Sequence, residues 1–189
     1  MSAEAVSDVV NQAADGMEKS LEAFRRELSG IRAGRATTSL LDRIRVDYYG
    51  NPTPLQQVAT ITIPESRLLV IQPWDRSLSG AVEKAILKSD LGLVPQSDGT
   101  VIRISIPALT AERRTELIRM VRKLAEEQRV AVRNHRRDGH KRAERLEKDG
   151  LASSDEVRRA MDELQKRTDR IIEQMDAALA AKESEITEV

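Results

Sequence analysis

The sequence predicts an α+β protein: an elongated three-helix bundle into which a small β/α/β domain is inserted. Apolar residues recur at helical spacing toward both ends of the 189-residue chain and at strand spacing between them. Only four residues are aromatic, Phe24, Tyr48, Tyr49 and Trp74, which favours aliphatic helix packing over a β-sandwich. Charged residues make up 33% of the chain, so long helix faces must be solvated.

The first helix is written at Val6, Val10, Ala13, Met17, Leu21, Phe24, Leu28 and Ile31, steps of three and four that fall on one stripe. Its end is expected near Gly34, just past the last periodic residue, where a left-handed cap costs least. From about residue 40 the period becomes two. Ile44, Val46 and Tyr48 alternate with Arg45 and Asp47, and aliphatic runs follow at 58–63 and 68–71, all read as strands. Gly50-Asn51-Pro52 and Pro64-Glu65-Ser66-Arg67 supply turns between them. Ser79 is expected to cap a short helix carrying Val82, Ala85 and Ile86, which Gly92 and Pro95 should stop. Val101, Ile102, Ile104 and Ile106 make a last strand.

After Pro107 the helical period returns. Thr110 is the expected cap, Glu112 suits the first turn, and Leu117, Val121, Leu124, Ala131 and Val132 form the apolar face. This helix runs to about Leu146, and at about 1.5 Å per residue it is some 50 Å long, hence the elongated shape. Gly150 breaks it, Ser153-Ser154-Asp155-Glu156 forms a capping box, and Val157, Met161, Leu164, Ile171, Met175 and Ala178 begin a third stripe. No one stripe can be buried alone, so the first helix must return to pack with the last two. The bundle domain is then residues 1–33 and 107–189, and the inserted domain 34–106. Two short passages, 32–37 and 105–108, join them, with Gly34 and Pro107 as hinge candidates.

The absence of cysteine excludes a disulfide scaffold, a thiol enzyme and cysteine-ligated metal. No catalytic residue, cofactor or metal ligand set is expected. The only histidines are His135 and His140, no nucleophile signature accompanies them, and no phosphate loop or dinucleotide fingerprint is present. His135 shares the face of Leu117, Val121 and Leu124 and is expected at a helix interface. No apolar run approaches the ~18 residues of a membrane span, and residues 1–10 carry no basic start, so a cytoplasmic protein without membrane contact is expected.

Charge points to a partner. The chain has 31 basic and 31 acidic side chains, yet residues 107–150 hold thirteen basic and eight acidic groups while 151–189 hold six and ten. On a wheel of about 100° per residue, Arg122, Arg129, Arg133, Arg136 and His140 fall within roughly 40° of one line, flanked by Arg119 and Arg137, with Glu126 inside the stripe. Arginine nearly throughout suits bidentate phosphate contacts, and the lack of interleaved aromatics favours backbone contact over base readout. RNA and DNA remain open on these grounds. Arg32 and Arg35 bracket Gly34 as a second, smaller basic group.

Several strings carry a family resemblance. Ile31-Arg32-Ala33-Gly34-Arg35-Ala36, Tyr48-Tyr49-Gly50 with Thr53-Pro54-Leu55, Glu83-Lys84-Ala85-Ile86, Ser89-Asp90-Leu91-Gly92-Leu93, Leu109-Thr110-Ala111-Glu112-Arg113-Arg114 and Arg129-Val130-Ala131-Val132-Arg133-Asn134 with Arg136-Arg137-Asp138 resemble, in order, the bacterial ribosome recycling factors. The resemblance implies a hinged, L-shaped molecule reminiscent of transfer RNA. It also implies binding between the subunits of the post-termination ribosome and, with elongation factor G and GTP, their dissociation with release of mRNA and tRNA. The factor itself hydrolyses nothing and is expected to be a monomer. By motif match, Arg129, Arg133, Arg136 and Arg137 should lie against large-subunit ribosomal RNA, with Arg32 and Arg35 near the bundle's tip.

The residues alone also allow a generic RNA-binding module or a self-associating helical protein. Gly139 within the basic helix, with Arg142 near its apolar face, predicts loose packing at that helix's far end.

Overall fold

The computed structural model describes residues 2–188, so Met1 of the amino-terminal reading lies outside it. The chain forms two compact units. One takes the residues up to Arg32 together with Glu112–Thr187, and the other takes Ala33–Ala111 and Glu188.

The first unit is built from three long helices, α1 (Ser2–Gly30), α3 (Ala111–Lys148) and α4 (Ser154–Thr187). Their apolar stripes meet in a core where Met17, Leu21, Phe24, Val121, Ala125, Val132, Leu164 and Met175 are almost completely buried. A second cluster, Val6, Val9, Ala143, Ala152 and Val157, closes the end where α3 turns into α4. There the capping box is formed: Ser153 N donates to Glu156 Oε2 at 2.8 Å, and Glu156 N donates to Ser153 Oγ at 3.3 Å.

Helix α1 stops at Gly30, four residues before the expected end. Gly34 does hold a left-handed φ of +74°, but in the following loop, where a Cβ would stand 2.9 Å from Leu109 Cγ. The expected looseness around Gly139 is also corrected. Gly139 is buried, and a Cβ there would lie 2.9 Å from Leu164 Cδ2 and 3.0 Å from Ala13 Cβ. The glycine brings α3 close to both neighbours. Arg142 adds a hydrogen bond from Nη2 to Gln12 Oε1 at 2.8 Å. His135 is half-buried against the bare backbone of Gly16, whose added Cβ would meet Nδ1 at 2.6 Å.

The second unit pairs a hairpin, β1 (Arg45–Tyr48) with β2 (Asn51–Pro54), with a four-stranded antiparallel sheet. That sheet joins β3 (Ala59–Glu65), β4 (Leu68–Pro73), β6 (Ile102–Ser105) and β5 (Pro95–Ser97), in that spatial order. Helix α2 (Ser79–Lys88) buries Val82 and Ile86 in a core with Leu41, Val46, Leu55, Leu69, Ile71, Ile102 and Ile104.

Two strands depart from the sequence reading. β2 lies where a turn was expected, because Tyr49 (φ 49°) and Gly50 (φ 83°) make a two-residue hairpin turn that returns the chain at once. β5 starts at Pro95, which sits on an edge strand where a missing N–H is tolerated. Ser79 is not a cap. It is the first residue of α2, and the preceding turn is capped by Asp75, whose Oδ1 accepts from Ser77 N at 2.9 Å. α2 ends at Lys88, before Gly92, with Ser89 Oγ donating to Ile86 O at 2.6 Å.

Both chain passages are fastened to one turn of this unit. Ala36 N donates to Ser66 O and Ile106 N donates to Arg67 O, each at 2.8 Å.

Candidate nucleic-acid interface

The apolar residues that bury α3 in the bundle, Leu117, Val121, Ala125, Val132 and Ala143, fix which of its faces is left for charge. Arg122, Arg129 and Arg136 then recur every seven residues, almost two full turns, and hold one line along the edge facing α4. On α4, running the other way, Glu183, Asp176 and Asp169 have the same spacing.

Two rungs close directly. Arg122 Nε donates to Glu183 Oε1 at 2.5 Å, and Arg129 Nε donates to Asp176 Oδ1 at 3.0 Å. Each guanidinium's acidity is weakened, chiefly by hydrogen bonding to its α4 carboxylate. The Arg129 side chain is only 22% exposed, so it works first as a link between helices.

The third rung is different. Arg136 Nη1 donates to the side-chain oxygen of Gln165 at 2.7 Å, and the Gln165 amide nitrogen donates to Asp169 Oδ1 at 2.7 Å. Next to it, Arg137 Nη2 donates to Asn134 Oδ1 at 2.5 Å. An amide oxygen orients a guanidinium without cancelling its charge. Arg133 instead pairs with Glu126 on its own helix, and Glu126 also accepts from Arg129 Nη1 at 3.4 Å. These contacts, the Arg133 hydrogen bond foremost, hold the Glu126 carboxyl below its ordinary pKa.

Arg133, Arg136, Arg137, His140 and Lys141 share a groove of about 1000 Å³ with Met161, Asp162, Leu164 and Gln165. Among the described residues no carboxylate lies within ion-pair distance of Arg136, Arg137 or Lys141, whereas His140 Nδ1 is 3.4 Å from Glu144. The groove therefore combines exposed cations with an apolar floor, an arrangement that accepts phosphate oxygens in several orientations. Arg32 is exposed at the end of the first unit. Arg35 belongs to the second, 3.7 Å from Glu188, and its Nε is buried without a hydrogen-bond partner.

Sequence reasoning missed Lys141, Asn134, Gln165 and the α4 carboxylates. The seven-residue spacing shared by three arginines and three carboxylates was the available signal for the last of these. Among the described residues no group of three histidine, aspartate or glutamate side chains could hold a metal, and no helix is long and apolar enough to cross a membrane.

Comparison with known proteins gives the family of the chain. Residues 24–187 match the family model described as ribosome recycling factor. The ribosome-recycling factor of Desulforamulus reducens is 55% identical over 184 residues, which is 97% of this chain and all of that protein. A solution structure of a ribosome recycling factor superposes with a TM-score of 0.73 at 42% identity, covering 97% of this chain and 98% of the other. The T. thermophilus factor, in a structure built with E. coli elongation factor G on the E. coli post-termination complex, gives a TM-score of 0.62 at 45% identity over 96% and 98% of the two chains. With the family model covering most of its length, the chain belongs to the ribosome recycling factor family.

Proposed function

We propose that this protein binds the post-termination ribosome and, with elongation factor G and GTP, promotes its dissociation into subunits with release of mRNA and tRNA. Members of its family are translation factors rather than enzymes. The observation that carries the mode of binding is the α3–α4 groove, where Arg136, Arg137 and Lys141 keep their charge while Arg122 and Arg129 are spent on α4. Arg133, Arg136 and Arg137 make phosphate contacts to large-subunit ribosomal RNA. Arg129 shapes the edge of that face, and Arg32 and Arg35 add contacts beyond it.

Gly34 and Pro107 serve as hinge residues. They flank Ala36 and Ile106, which are hydrogen-bonded to the Ser66-Arg67 turn, so rotation is assigned to the residues next to those anchored positions. The protein acts as a monomer.

The test is light scattering of purified post-termination complexes with this protein, elongation factor G and GTP, omitting each in turn. A fall in scattering that requires all three supports the proposal. Binding without any fall would leave only an RNA-binding module.

A further inference from the structure

We infer that Gln165 is a positioning residue for ribosome binding: its side-chain amide stands between Arg136 and Asp169 and keeps the Arg136 charge free for an RNA phosphate. This rests on the reading of the α3 face as RNA-facing. Arg122, Arg129 and Arg136 are equivalent by spacing, and so are Glu183, Asp176 and Asp169. Where nothing intervenes, the arginine reaches across and is neutralised, as at Glu183 and Asp176.

At the third rung Gln165 accepts from Arg136 and donates to Asp169, both at 2.7 Å. A side-chain amide can do both at once without carrying charge, since it has an acceptor oxygen and a donor nitrogen on one planar group. Arg136 is thereby fixed in direction, so less side-chain freedom is lost when a phosphate arrives, and Asp169 is satisfied without consuming the cation. Gln165 and Arg136 both line the groove that also holds Arg137 and Lys141. Without Gln165, the ladder spacing delivers Arg136 to Asp169.

The experiment measures affinity for purified large ribosomal subunits across a salt series. Gln165→Leu removes both hydrogen bonds and keeps a good helix former. It is expected to weaken binding about three- to fivefold, the scale of one exposed ion pair. It should also reduce the slope of log affinity against log salt by about 0.9, one duplex phosphate contact. Asp169→Asn in the Gln165→Leu background should restore affinity, by more than Asp169→Asn improves the wild type. Thermal unfolding of each variant accompanies the titrations, because a purely structural role moves the melting point and gives no rescue.

Arg136→Ala separates the two claims. If it binds like wild type, the RNA-facing reading of α3 fails. If it weakens binding while Gln165→Leu does not, or while Asp169→Asn fails to rescue, the positioning role is overturned and the RNA-facing reading stands.

Discussion

At Glu126 one carboxylate serves two guanidinium groups, those of Arg129 and Arg133. Arg129 has Asp176 as well, so among the described residues Arg133 is the one whose carboxylate partner is Glu126 alone. An incoming phosphate must replace Glu126 there. Glu126→Gln is expected to tighten binding to heparin about two- to fivefold, the range of an exposed ion pair, while Glu147→Gln, removing equal charge from an exposed position of the same helix, leaves it unchanged. Equal gains from both variants would reduce the effect to net charge.

Asp98 offers a second test at this scale. Its carboxylate accepts from the backbone N–H of Val101 and Thr100 and from Arg103, with the Val101 bond the largest influence, and its pKa falls to about 2. A depressed carboxylate contributes stability above its unfolded pKa of about 3.9 and loses it as pH falls through the folded value. The Thr100 and Val101 amide resonances should therefore hold through pH 4 and titrate with a midpoint near 2. A midpoint near 3.9 would mean that the loop bonds are absent in solution.

The arginine positions were legible in the sequence because a helix has a fixed period. Their partners were not, because which carboxylate meets which arginine depends on the register between α3 and α4.

Among the elements, α3 and its junction with α4 carry the clearest sequence signals. The Ser153–Glu156 box formed as read, and Ser153→Ala should cost about 1 kcal/mol in unfolding free energy by denaturant titration. Gly139 shows where an element-level rule gives way to packing. By propensity alone, Gly139→Ala should stabilise α3 by about 1 kcal/mol. Contacts of 2.9 and 3.0 Å with Leu164 and Ala13 make the added methyl overpacked, at about 1–3 kcal/mol, so net destabilisation is expected. A higher melting temperature for that variant would show that the helices separate without cost.

The strands of the small unit were harder to read. Proline at 52 and 95 marks turns in most contexts, and only edge position lets it sit in β2 and β5. Tyr49 at positive φ is a conformation that residue type does not announce.

Across the whole molecule, each unit has its own core, so a local lesion should stay local. Trp74 is the only tryptophan and lies in the small unit, where its indole N–H donates to Thr60 at 2.9 Å, whereas far-ultraviolet circular dichroism is dominated by α1, α3 and α4. Gly34→Ala forces a side chain into a left-handed φ and against Leu109, so it should lower the fluorescence midpoint more than the dichroism midpoint. Gly139→Ala should do the reverse. Coincident shifts in both variants would mean that the two cores unfold as one.

The fold class and the three long helices could be read from period and composition. The groove could not, because it exists only once α4 lies beside α3.

The bundle's discontinuity also has a consequence during synthesis. α1 leaves the exit tunnel first, yet its partners α3 and α4 are the last to be made. At 5–20 residues per second, the stretch from Ala33 to Thr187 takes roughly 8–30 s to translate. Until both partner helices have been made, the stripe of Met17, Leu21 and Phe24 lacks its full native cover, while Ala33–Ala111 already contains a complete core and can fold behind it. The nascent chain must therefore hold an apolar helix in waiting, a natural client for chaperones that gather where new protein emerges.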